Sequence, residues 1–250
     1  KLVCGPYAPD ALDFLREIGA LGAILPELVN LADFSRQRGD EFWDRSRHRT
    51  LHAGADKVVS WAALFADIGR PWTVCGEESF HNHATMASLL FKGIARRFHF
   101  DNTTSDSVAF ILEHQDRALL YRKDWTDVDL RRFARDLGEH WSTAIDLAQV
   151  FAAAEPGSVH APLDEFRTRL ETLDQEGLLV PVLPRGLGGV LMKGLELRSG
   201  PLVGEIIAWI TEEIIAGRLQ SNLVPRAYLD YLIEAAPPLL ERTPRFGREG

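Results

Sequence analysis

The sequence is poor in cysteine, in long apolar runs and in net positive charge. Cys4 and Cys75 are the only thiols among 250 residues. Two cysteines exclude a disulfide scaffold and a four-thiolate zinc site, and they suit the reducing cytoplasm. No apolar run approaches the roughly 18 residues that span a bilayer, so no membrane partner is expected. No basic, apolar, small-residue leader opens the chain. Bases number 28 against 36 acids, a net charge of −8. That excludes a bulk polycation and leaves a local basic face as the route to any nucleic acid. No Gly-x-x-x-x-Gly-Lys loop and no Gly-x-Gly-x-x-Gly after a strand is present, so neither common phosphate cradle is available. The first residue is Lys1, not Met. A fragment or processed product is therefore expected, with any N-terminal domain outside it.

Helical periodicity fills the chain. Leu12, Leu15 and Ile18 share a face between Pro9 and Gly19. Val108, Ile111 and Leu112 follow Thr104 and Ser105, which are suitable N-caps. Thr126 can cap a helix carrying Leu130, Phe133, Ala134 and Leu137 ahead of Gly138. Pro162 can open another, with Leu163, Phe166, Leu170 and Leu173 before Gly177. Val203, Ile206, Ile207, Ile210 and Ile214 form the cleanest stripe, between Pro201 and Gly217. Apolar spacings of three and four, opened by Pro and closed by Gly, predict an all-α protein. The one strand-like stretch, Leu178–Leu183, is interrupted by Pro181. The small, breaker-containing run Ala152–Ser158 suggests a boundary between a helical body, 1–154, and a smaller helical tail, 159–250. Residues Val180–Gly189 read as irregular, and the chain after Ala235 as frayed.

Several residues could carry chemistry. An apolar helix containing Trp61–Phe65 ends in Asp67-Ile68-Gly69-Arg70-Pro71. A His before that Asp would form the metal-binding pair of HD phosphohydrolases, but the position is Ala66. His81, His83 and His114 follow, and His48 and His52 precede. A metal site needs several converging nitrogen or oxygen ligands. Without the central imidazole, Asp67, His83 and His114 read as a degenerate pocket holding no metal. Neither cysteine is paired with a His and an orienting acid, which leaves them inert or free thiols. Asp127 and Asp129 resemble a two-carboxylate metal motif, yet they sit in a helical first turn after Thr126, where acids favour the macrodipole. Capping is the stronger reading, and no catalytic residue is assigned. Basic residues cluster at Arg45 and Arg49 (with Arg47 and His48), at Arg96 and Arg97, at Arg131, Arg132 and Arg135, and at Lys193 and Arg198. Such clusters suit the phosphates of an RNA backbone. They suit a solvated or acid-paired face equally well.

A family resemblance emerges from these stretches together. Trp61–Pro71, followed by Phe80-His81-Asn82-His83 and the next helix, resembles the HD-like region of bacterial tRNA nucleotidyltransferases and poly(A) polymerases. Leu25-Pro26-Glu27, Trp125-Thr126-Asp127, Leu130-Arg131-Arg132-Phe133, Leu183-Pro184, Leu191-Met192 and Gly200–Gly204 match in order and approximate spacing over nearly the whole chain. The resemblance implies addition of CCA or adenylates to RNA by an N-terminal head holding magnesium. Gly188-Gly189 is followed by Val190–Lys193, not by that head's pattern. The match therefore covers the body and tail, which chiefly hold RNA, with tRNA the expected partner and no DNA. Magnesium is expected only with the head, and no cofactor in this chain. The family's His falls at Ala66, and its upstream metal ligand aligns loosely with Arg45. Two other readings compete: an HD-type metal phosphohydrolase, and a non-catalytic helical adaptor.

Overall fold

The computed structural model describes residues 2–73, 82–155, 162–179, 183–235 and 237–245. Among these the protein is all-α, with no strand. The helices are α1 (Ala8–Glu17), α2 (Ala20–Ile24), α3 (Pro26–Arg38), α4 (Phe42–His52), α5 (Lys57–Phe65), α6 (His83–Arg97), α7 (Asn102–Glu113), α8 (Asp127–Leu137), α9 (Trp141–Ala154), α10 (Leu163–Gln175), α11 (Leu187–Gly194), α12 (Pro201–Ile215) and α13 (Pro225–Ala235). No helix among the described residues is long and apolar enough to cross a membrane. Cys75 and His81 lie outside the described residues, as does the Pro181 break.

Contacts group the chain into two compact units. One comprises Lys1–Asp124 with Leu137–Thr168, and the other Trp125–Asp136 with Arg169–Gly250. The chain passes between them inside α10, and α8 groups with the C-terminal unit.

The first unit is built around α5. Val59, Ser60, Ala62, Ala63, Leu64 and Phe65 are all buried. A helix apolar on every side belongs in an interior, and α4, α7 and α9 pack against it. Its start is fixed by Asp56, whose carboxylate accepts the Val59 N–H at 2.9 Å. At its far end, Phe65 joins Trp61, Phe91 and Phe100. Phe65 and Trp61 stack at 5.5 Å, and Phe91 meets Phe100 edge-on at 5.6 Å. The start of α7 is set by Asp101, which accepts the Thr104 N–H, and not by the later Thr104 or Ser105. Asp101 is the better cap because its acceptor is charged.

The second unit is held by a core from α11, α12 and α13. Leu187, Leu191 and Leu195 meet Ile206, Ile210 and Ile214, with Tyr228, Leu229 and Leu232 completing it. Both stripes step by four residues, the spacing that stacks side chains on one helix face. The irregular stretch ends sooner than its composition suggests, since Gly188 and Gly189 are helical. The described residues after Ala235, 237–245, are likewise more ordered than expected. Pro238–Arg242 form a 3-10 turn that buries Leu240. Thr126 and Asp129 form a reciprocal capping box at α8, with Asp129 accepting the Thr126 N–H at 2.8 Å. That satisfies the capping reading of this carboxylate.

Gly69 permits the tightest approach in the first unit. A methyl group there would lie 2.1 Å from the His83 carbonyl oxygen and 2.8 Å from the Ala87 nitrogen. Its φ of −76° suits any residue, so the glycine is needed for space rather than for conformation. At a conformationally neutral site Gly→Ala stabilises. Here the backbone of α6 stands in the way, and Gly69→Ala is expected to lower stability by about 1–3 kcal/mol. Urea unfolding checks this, and a gain in stability would show that α6 does not seat against this turn.

Candidate functional site

The site around Asp67 lies where α4, the turn after α5 and the end of α9 meet. Asp67 is 2% exposed. A carboxylate so buried must be compensated. Arg49 of α4 donates to it at 2.7 Å. Arg70, in the following 3-10 turn, donates to its other oxygen. Arg49 also donates to Glu155 at 2.6 Å and lies 4.0 Å above the Phe151 ring. Arg45 sits 3.9 Å from Glu155, and Arg45 and Arg70 both cover the Phe42 ring. Burial by itself would raise the Asp67 carboxyl. The charges of Arg49 and Arg70 outweigh it and hold the group down at about 2.

This arrangement is a poor metal site. Two guanidinium groups occupy the space around Asp67 in which a cation would have to sit. Ala66 offers no ligand side chain, and its carbonyl is occupied by the Gln115 amide at 3.1 Å. His83 begins α6 beside Gly69. The His114 ring is stacked on Phe110, with its Nδ1 2.9 Å from the Phe110 carbonyl. No group of three His, Cys, Asp or Glu residues suited to a metal occurs among the described residues. Metal-dependent hydrolysis thus finds no ligand set among them.

The basic clusters have unequal fates. Arg49, unlike its more exposed basic neighbours in sequence, is an interior residue at 6% exposure and cannot serve as a phosphate contact. Arg45 is partly exposed beside it. At the end of α6, Arg97 makes a two-pronged pair with Glu27 at 2.9 Å, which pushes its pKa up. Arg96 is exposed and reaches the Lys92 carbonyl. On α8, Arg132 lies 3.7 Å from Glu212, and Arg135 binds Glu212 and Asp136. Arg131 donates to the Ile215 carbonyl at 3.3 Å, at the C-terminal end of α12. The α8 cluster thus faces an acid and a helix end supplied by α12. Lys193 and Arg198 are exposed, and among the described residues neither forms an ion pair.

The Asp67 network joins residues far apart in sequence, yet one sign of it is local. Phe42, Ser46 and Arg49 fall at spacings of four and three on α4 and are all buried. Arg49 therefore belongs to the inward stripe by period alone, a signal that its basic neighbours obscure.

The electrostatics of this network set a pH window. A carboxylate held below its ordinary value adds stability while it is ionised in both states, and loses it as protons bind the unfolded chain first. The contribution is full above about pH 4 and fades towards about pH 2. Asp67→Asn should cost about 3–5 kcal/mol at pH 7, because it strands Arg49 inside. The deficit against the unaltered protein should shrink as pH falls through that window. Urea titrations at stepped pH check this, and a deficit that does not vary with pH would contradict it.

No family model matches the chain. It is similar to an A-adding tRNA nucleotidyltransferase of Deinococcus radiodurans, with 25% identity over an alignment of 255 residues. The alignment covers 94% of this chain and 57% of the relative, so the chain spans little more than half the relative's length. The resemblance to the tRNA nucleotidyltransferase and poly(A) polymerase family, carried by stretches from Leu25 to Gly204, is thereby supported along nearly the whole sequence by a curated relative.

Proposed function

We propose that this chain is the RNA-docking body and tail of a cytoplasmic tRNA nucleotidyltransferase or poly(A) polymerase type of protein. Nucleotide addition is assigned to a part outside these 250 residues. The observation that carries the reading is the extent of the match. It runs along 94% of this chain but accounts for only 57% of a relative that adds A to tRNA.

The side chains are consistent with a holding role. Phosphoryl transfer of this class needs carboxylates free to place metal ions against a triphosphate. Asp129 is engaged as a cap, and Asp127 is in a pair with Arg169 at 3.3 Å. Asp67 is engaged by Arg49 and Arg70. This occupancy also disfavours the HD phosphohydrolase reading. The adaptor reading differs from docking only in RNA affinity, so RNA affinity decides between them.

On this reading the 250-residue chain binds tRNA without extending it. At physiological salt an electrostatic, sequence-independent contact gives a Kd of about 10⁻⁴–10⁻⁶ M, and log K falls linearly with log salt. Fluorescence titration of tRNA between low and moderate salt measures this. Incubation with tRNA lacking its 3′ end, nucleoside triphosphates and magnesium should yield no extension above a protein-free control. Absence of binding at low salt would move the adaptor ahead, and extension by pure protein would place a transferase site within this chain.

A further inference from the structure

We propose that the outward face of α1 is the seat of a helix from the polypeptide ahead of Lys1, an apolar helix edged with lysine or arginine. This rests on the reading above that the nucleotide-adding part lies outside these residues, and it says where the longer polypeptide packs on the first unit. The helix α1 carries two apolar faces. One is spent on the interior: Ala8, Pro9 and Leu12 are buried, and α2 and α4 pack against the helix. The other faces solvent. Tyr7, Ala11, Phe14 and Ile18 step by four, three and four residues, with Tyr7 and Ile18 as the two caps. At about 100° per residue the four fall within about 60° of one another, turned away from Leu12. Tyr7 is 75%, Phe14 59% and Ile18 58% exposed. Such spacing is that of a seam that meets another helix, and a helix apolar on two sides belongs in an interior. Single exposed apolar side chains are ordinary. The other large ones among the described residues fall one to an element or loop, except Leu89 and Phe98, which point to opposite sides of α6.

Charge gives the chemistry of the occupant. Asp10 and Glu17 lie along one edge of the stripe, both exposed, and among the described residues neither is in an ion pair. Glu17 ends α1, where the helix dipole disfavours an acid. Bases beside the apolar seam of an incoming helix answer both acids. A second copy of this chain does not. Antiparallel pairing of two such faces sets Asp10 of one copy against Glu17 of the other, between chains that each carry −8. Size gives the source. The 10 residues of α1 make a helix about 15 Å long. Its face falls short of the roughly 800 Å² that each side of a free-standing complex buries. A helix on the same polypeptide needs no such area, because a short tether supplies an effective concentration near millimolar. Tyr7 stands close to Lys1 in sequence, and the relative runs well beyond its match to this chain.

Phe14→Gln combined with Ile18→Gln keeps helix propensity while removing the seam. The pair is tested in the 250-residue chain and in the full gene product, the latter by hydrogen exchange. In the full product the residues ahead of Lys1 should include a slowly exchanging helix, and the double variant should speed its exchange at least tenfold. Glu17→Lys, which favours the α1 dipole, should nonetheless speed it at least threefold. In the 250-residue chain the double variant should leave Tm within about 2 °C. Leu89→Gln, at a solitary exposed leucine of α6, should change neither measurement. Unchanged exchange in the double variant overturns the proposal, as does a loss of Tm beyond that margin in the 250-residue chain. A 250-residue chain that sediments as a dimer, and is made monomeric by the double variant, would give the face to a second copy and overturn it too. A gene that encodes nothing ahead of Lys1 overturns both this proposal and the function it rests on. Nucleotide addition by the full product separates the two otherwise. Activity with unchanged exchange leaves the function standing and the surface wrong, whereas an inactive product with the expected exchange leaves the surface standing and the function wrong.

Discussion

The buried carboxylate of Asp67 and the two guanidinium groups that hold it set the terms for the first unit. A lone charge in that interior would be prohibitively unfavourable, so its partners are constrained in place and protonation state. The constraint reaches three elements at once. Arg49 brings α4, Arg70 brings the turn after α5, and Glu155, sharing Arg49, brings the end of α9. One residue past Ile68, Gly69 gives α6 its close seat. The run Ala66–Arg70 thus connects the central helix to its surroundings through charge on one side and bare backbone on the other.

The same run decides what this site can hold. With an imidazole at position 66 and an open carboxylate, the pocket would present ligands to a cation. With Ala66 and two arginines it presents an ion network in which the Asp67 carboxylate is already engaged on both oxygens. Desolvated ion networks of this kind are destroyed by removing one member, though their net contribution compared with an apolar core is small. Their role here is to fix the geometry of α4, α5 and α9. The chain is similar to a longer enzyme, of which it covers 57%.

Much of this is legible in the residues. Apolar steps of three and four locate the stripes of α8, α10 and α12. Pro201 and Gly217 bracket α12 closely, and Thr126 marks a cap that the structure shows in full. Local signals of this kind act over one or two turns, so a single sequence carries them. The partners of charged groups are not legible, because they come from distant elements. Arg49 meets residues 18 and 106 positions away, and only the fold brings them together. Glu212 is similarly remote from Arg132 and Arg135, so the α8 arginines look free in sequence while the chain supplies their counter-charge. The glycines near 188 mislead for another reason. Their composition suggests a loop, but the leucines at 187, 191 and 195 need a helix face to reach the core, and burial outweighs the weak propensity of glycine.

Asp67 and Arg49 form a mutual structural pair rather than the remnant of a ligand set beside an unrelated arginine, and the architecture of the first unit rests on that pairing. A double-mutant cycle measures it directly, with Asp67→Ala, Arg49→Ala and the double variant compared by urea unfolding at pH 7. A coupling of about 2 kcal/mol or more is expected, with the double variant less damaged than the sum of the single ones. Additivity within about 0.5 kcal/mol would contradict the pairing.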